Sequence, residues 1–460
     1  MAHQKKERPS GVFLMIEGAT MNHDVLDILT HKLEESQAPL ARLDSYFEGR
    51  QPAAFLSAKS QEALAGKLKI LSVNFPKLLV TSVAERMNIT GFKTSGDPVA
   101  DAELWRIWNA NDLESQAFLA HVDALSYGRS FVIVWGGADD RTPRVTVESA
   151  KQVAVIHDPA TGAVRAAVKR WVDGQTHYAV LYEPDAITRY EGKENALSVV
   201  EVIPNPLGEV PVVPLVNRSR LLDFDGSSEM TDILDLTDGL AKIMSDAMVS
   251  SEYYTRPRRW VTGLEIQEDA DGNPVNPFSN EENRLMQSES PETKFGQLEG
   301  ARLDGYGDLA AVITQQIGAI SGLPPHYLGL NGDQPPSADS IRSAEASLVA
   351  KVIGKHRTFG RSWAKVADLI VKVRDGQNLT DYEALWSAPD TRTPAQVADA
   401  AAKLAGIGVP LASVLADPMG YSPSQIDSIM QAQRRETLNR SGMDLSAFLI
   451  GDSVPAAVTA

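Results

Sequence analysis

The chain has 460 residues, with 44 Lys and Arg against 60 Asp and Glu, and therefore a formal net charge of −16. At roughly 100–200 residues per domain this length predicts two to four domains, and 43% apolar with 23% charged residues is the composition of a globular chain, not a disordered one. Zero Cys excludes disulfides, thiolate nucleophiles, zinc–cysteine sites and iron–sulfur clusters together, while the acidic balance argues against broad neutralisation of nucleic-acid phosphates.

The start, MAHQKKERPSGVFLMIEG, has a basic segment but too short an apolar stretch for a signal peptide. No uncharged apolar run reaches about 18 residues, so no membrane span is expected. Residues 22–47 have helical spacing at Val25, Leu29, Leu33, Leu40 and Leu43, interrupted by Pro39. Further helices are predicted over 60–71, around 73–87, and over 101–126, where Leu104, Trp108, Leu113, Ala117 and Val122 make one face. The period then changes. Phe131–Trp135 reads as a buried strand, and 144–203 as a β-meander with strands at Arg144–Val147, Val153–His157, Ala163–Trp171, His177–Tyr182 and Leu197–Ile203. Pro204, Pro206, Pro211 and Pro214 read as a stiff linker.

Residues 229–254 predict a helix roughly 39 Å long. Glu229, Asp232, Asp235 and Asp238 recur along its first turns as an acidic ribbon. A solvated face near a helix N-terminus explains that ribbon as well as a channel lining does. The block 264–308 holds 11 acids against Arg284, Lys294 and Arg302 and has poor periodicity, the pattern of a small irregular module or docking surface. Residues 308–321 are helical again, and Gly322-Leu323-Pro324-Pro325 stops them. After the polar loop 329–336 comes the longest periodic segment, 339–374, whose apolar stripe runs from Ile341 through Phe359, Trp363 and Val366 to Val373, with bends possible at Gly354 or Gly360. Over 341–375 it carries eight basic residues and three acids, within an acidic chain. A subunit-pairing surface and a DNA contact account equally well for that asymmetry. Thr393-Pro394-Ala395-Gln396 and Ser422-Pro423-Ser424-Gln425 each combine an N-cap, Pro at the first helical position and a capping-box Gln. Residues 451–460 read as a tail.

No nucleotide-binding glycine loop, HExxH or GxSxG motif is found, and the eight His show no helical metal spacing. Asp269-Ala-Asp271-Gly-Asn273 begins like a calcium loop, but Pro274 stands where Gly is needed, so it reads as an acidic turn. No cofactor, no metal and no catalytic residue is expected.

The order of these blocks resembles that of portal proteins of tailed bacteriophages, of the siphophage type found in phages of actinobacteria. The resemblance is most specific at Asn217–Arg220 through Trp260–Gly263, at Ile320–Gly329, and at Ser337–Lys355. It implies an α+β, mainly helical portal fold: wing with helices and β-meander (1–225), stem helix 1 (226–254), clip (255–302), stem helix 2 (303–323), tunnel-loop region (324–338), long wing-to-crown helix (339–378), and crown with C-terminal tail (379–460). It also implies a non-enzymatic ring, a homododecamer, at one capsid vertex of the virion, assembled in the host bacterial cytoplasm. Genome packaging, ejection and head–tail connection would pass through it. By that resemblance Asp232, Asp235, Asp238, Asn331, Asp333 and Gln334 would face the channel. Asp269, Asp271, Glu281 and Glu282 of the clip would dock partners, and Arg342, Lys351, Lys355 and Arg361 would lie between subunits. The implied partners are large terminase, major capsid protein and scaffold, a head–tail adaptor, and double-stranded DNA passing without sequence reading; no membrane is implied. The alternatives left open are another virion component such as a head–tail adaptor or minor capsid protein, a carboxylate-dependent hydrolase, and a cellular polymer-binding protein.

Overall fold

In a computed structural model, residues 12–52, 72–94, 101–137, 142–194, 196–254, 259–263, 267–268, 270, 274–275, 291–297, 303–330, 337–376 and 381–450 are described. They divide into two compact units, one of residues 1–51, 74–234 and 318–460, the other of 52–73 and 235–317. The helix expected over 60–71 and the tail 451–460 lie outside the described residues.

The first unit is built around strand β2 (Arg129–Trp135), whose Phe131, Val132, Ile133 and Val134 are all buried. It is flanked antiparallel by β3 (Arg144–Ser149) and β9 (Val212–Val216). The expected linker is therefore partly a strand. Pro214 is tolerated there because β9 is an edge, where a missing N–H breaks no ladder. Arg144–Ser149 also leaves the predicted meander, which is instead a five-stranded sheet of β4 (Val153–His157), β5 (Val164–Asp173), β6 (Thr176–Tyr182), β7 (Ala186–Lys193) and β8 (Ala196–Pro204), paired in sequence order. Strand β7 is absent from the expectation because AITRYEGK lacks the apolar density of its neighbours.

Helix α1 (Val12–Phe47) covers both sheets. Leu26, Leu29 and Leu33 pack on the meander through Val168, Leu181 and Tyr190, and Leu40 joins Phe131 and Val155. Pro39 does not interrupt it. One lost backbone hydrogen bond is outweighed by Leu33 and Leu40, which anchor the helix on either side of the proline. After α2 (Phe75–Ala84) and β1 (Ile89–Thr94), the single helix expected over 101–126 is two, α3 (Ala102–Ala110) and α4 (Leu113–Tyr127). The break is fixed by Asn111, whose amide donates to the Ile107 and Pro143 carbonyls while its oxygen accepts from the Val145 N–H, each at 3.0 Å. Asp112 then takes a left-handed conformation at φ 52°.

The expected helix 229–254 begins as a 3₁₀ turn (Thr231–Ile233) and becomes α5 (Leu234–Tyr254). Helix α6 spans Asp304–Ser321, and α7 spans Ala338–Asp375 without a break at Gly354 or Gly360, started by Ser337 accepting from the Ser340 N–H. Phe359, Trp363 and Val366 of α7 are fully buried. Trp363 donates to His121 Nε2 at 2.8 Å and meets Trp108 edge-on at 5.1 Å. Burial pushes the His121 imidazole down to about 3, so it is the neutral acceptor this bond requires. A strand not expected from the sequence, Tyr382–Trp386, pairs antiparallel with β1. Both capping boxes form, opening α8 (Pro394–Gly406) and, after α9 (Leu411–Ala416), α10 (Pro423–Ile450).

Candidate channel and assembly surfaces

In the second unit α5 and α6 run antiparallel. Gly239 faces Ile313, and the Ser250 and Tyr306 hydroxyls meet at 3.0 Å. Leu240, Ala241 and Ile313 lie toward the interior, but Met244 and Met248 on α5 and Leu309 and Val312 on α6 stay 36–52% exposed. Each pair shares a helix face, at spacings of four and three. Beyond α5, β10 (Arg259–Thr262) pairs with a strand at Lys294–Gln297. A Cβ at Gly296 would stand 2.4 Å from the Trp260 ring, so only glycine lets that indole lie across the ladder, where Trp260 and Phe295 are both exposed.

The first unit handles charge differently. Four lysines of α7 are met by two carboxylates from distant parts of the chain, and a third carboxylate lies on α7 itself. Glu229 bridges Lys351 and Lys355, each at 2.7 Å, and accepts from the Asn217 amide at 3.2 Å; Asn217 in turn accepts from Lys355 at 2.6 Å. Burial alone would raise the Glu229 carboxyl, but Lys355 and Lys351 more than offset it and hold it at about 2. Glu209 bridges Lys365 and Lys372, again at 2.7 Å each; burial opposes and the two ammonium groups prevail, so its carboxyl is lowered. The third carboxylate, Glu345, belongs to α7 itself and is buried. It takes Arg86 at 3.2 Å and the Thr391 hydroxyl at 3.0 Å, and Arg86 also donates to the Tyr327 hydroxyl at 2.9 Å.

Of the residues singled out from sequence, Asp232 is exposed in the 3₁₀ turn, Asp235 is exposed on α5, and Asp238 is half-buried. Glu229 leaves the acidic ribbon, because it is buried against two lysines. Lys351 and Lys355, expected between subunits, are engaged within the chain. Arg342 donates to Gln396 at 2.6 Å, and Arg361 is exposed. Asn331, Asp333, Gln334, Asp269, Asp271, Glu281 and Glu282 lie outside the described residues. Sequence reasoning missed Glu209 and Glu229 as partners of the basic helix, and Arg86 as the partner of its own Glu345. The one available signal was the i,i+4 spacing of Lys351 and Lys355, which puts both ammonium groups over a single acceptor. Among the described residues no cluster of His, Asp and Glu could hold a metal ion, and no helix is long and apolar enough to cross a membrane.

Residues 26–414 match the family model described as "Phage portal protein, SPP1 Gp6-like". The chain is 31% identical over 434 residues to the portal protein of Mycobacterium phage L5, covering 89% of this chain and 88% of the other. It is 31% identical over 445 residues to that of Mycobacterium phage D29, with 91% and 90% covered. A solved chain from the neck of a native gene transfer agent particle, computed with C12 symmetry, aligns at a TM-score of 0.45 and 13% identity, over 73% of this chain and 84% of that one.

Proposed function

The chain belongs to the phage portal protein family of the SPP1 Gp6-like type, and from that premise we propose that it assembles into a closed ring, a dodecamer, forming the DNA channel at one vertex of the capsid. The observation that carries the ring is the exposed apolar set Met244, Met248, Leu309 and Val312 on two adjoining helices. Burying each would contribute on the order of 1 kcal/mol, and a head-to-tail ring buries the same surface on every copy.

The mechanism is physical. The family is a structural one, and packaging energy must come from a separate motor, the large terminase. A duplex that slides should meet few strong phosphate clamps, because each neutralised phosphate adds affinity. Asp232, Asp235 and Asp238 facing the axis would repeat as acidic rings that repel the duplex toward the centre. The loop 329–336, with Asn331, Asp333 and Gln334, would touch DNA weakly and without reading sequence. Clip residues 255–302, with Asp269, Asp271, Glu281 and Glu282, would bind terminase and then the head–tail adaptor, and the outer body would meet major capsid protein and scaffold. Arg342 and Arg361 remain the α7 groups proposed to act between subunits.

Electron microscopy of the purified protein tests this reading: closed rings with a duplex-wide channel are expected. Met244→Ser with Met248→Ser should reduce ring formation at least tenfold while leaving the monomer folded. A stable monomer or symmetric dimer of the unaltered chain at high concentration would overturn it.

A further inference from the structure

Resting on that ring reading, we propose that neighbouring copies engage through a specific plug and socket: Arg220, Leu221 and Leu222 of one copy seat on the cleft at the start of α4 in the next, with Arg220 against Asp112 and Glu114.

The plug is a short connection after β9 whose shape is fixed from behind. Arg218 donates to the Asp223 carbonyl at 3.2 Å and lies 4.7 Å over the Phe224 ring. Asp225 pairs with Lys32 at 2.8 Å. Gly226, at φ 72°, presses its backbone against Gly128, where a Cβ would stand 2.1 Å from the carbonyl oxygen. Arg218 and Asp225 are thus tied inward, yet Leu221 is 92% and Leu222 86% exposed. Two adjacent leucines in solvent are costly for a free monomer and apt for a contact. The Arg220 guanidinium beside them makes no ion pair in the chain among the described residues.

The socket lies in the same unit. A cleft of about 770 Å³ is lined by Ile89, Trp105, Asn109, Asp112, Glu114 and the Ser422 end of α10, among others. Both acids are exposed, and no described basic side chain pairs with either. Leu119 follows one and two turns along α4 on the Asp112–Ser115 face and is 53% exposed. Acid pair then leucine on α4 therefore matches arginine then leucines on the plug. Opposite charge sets the register of such a contact, and the apolar pair supplies its burial.

The position of the two surfaces fits a ring. The plug is braced on Gly128, which ends α4, and the socket acids stand at its start, so the 15 residues of the helix separate them by roughly 22 Å. Two different patches at opposite ends of one element allow a heterologous contact, the kind that generates cyclic rings, and the closed ring of the proposed function selects it over a reciprocal two-fold pairing.

The test uses the full chain, its ring fraction measured by sedimentation and its fold by thermal melting. Arg220→Glu and Glu114→Arg should each lower the ring fraction at least tenfold, and the two together should recover it. Leu221→Ser with Leu222→Ser should also lower it tenfold with the melt unchanged, a control free of any effect on α4 folding. Rings of wild-type abundance in the single reversals, or no recovery in the double variant, would overturn the pairing while leaving the ring reading intact. Absence of rings from the unaltered chain would overturn the ring reading itself, and the pairing with it.

Discussion

Helix α7 and the α5–α6 pair are both long amphipathic elements, and they end in opposite states. On α7 the apolar stripe is closed over by Trp108, His121 and the sheets, and four of its lysines are bound by Glu229 and Glu209 of the same chain. On α5 and α6 five large apolar side chains, Met244, Met248, Leu309, Val312 and Ile320, are exposed among the described residues, and much of the charge is acidic and exposed. One element is closed over by described residues of its own unit; the other keeps an apolar face exposed among the described residues. A strong hydrophobic period therefore does not tell which of the two a helix will be, since that depends on partners far away in sequence.

The largest effect that would break the comparison is at Trp363. Trp363→Ala empties a fully buried site and strands the His121 acceptor, and should cost about 3–5 kcal/mol, read as a fall in the urea midpoint of the body. Survival of the body with a shift under 1 kcal/mol would mean that α7 is not its core.

Glu229→Gln is next. It leaves two ammonium groups half-buried against a neutral amide and should cost about 3 kcal/mol. It also has a pH signature. The carboxyl is depressed from 4.5 to about 2 in the folded chain, so its contribution is complete above pH 4.5 and is lost as pH falls from there toward 2. Unfolding measured across that window should show a steeper acid decline in the unaltered chain than in the glutamine variant. Parallel curves would remove Glu229 as the clamp.

The smallest effect sharpens the other side. A Cβ at Gly239 would lie 3.6 Å from Ile313, an ordinary contact, so Gly239→Ala on α5 should stabilise the chain by about 0.5–1 kcal/mol through helix propensity alone. A loss instead would show that the two helices pack more closely than this.

Much of the fold was legible where the signal is local. The α7 stripe, the two Thr and Ser capping boxes and the strand at Phe131–Trp135 all write their structure within a few residues. What escaped depends on residues far apart. Pro214 reads as a linker until β2 is beside it, and Tyr382–Trp386 reads as nothing until β1 is found. Glu229 looked like one more acid in a ribbon because its lysines lie more than a hundred residues away. Of the residues proposed to face the channel, sequence supplied type and spacing, but not burial: Asp238 is half-buried while Asp232 and Asp235 are not.

The pairing of Ile89–Thr94 with Tyr382–Trp386 has a consequence in time. When β1 leaves the ribosome its partner has not been made, and at about 5–20 residues per second it waits roughly 15–60 s for the remaining 290 or so residues. The ladder closes only when more than four-fifths of the polypeptide exists. A contact of such sequence separation is slow to form, and a chain truncated before Tyr382 cannot complete this part of the body.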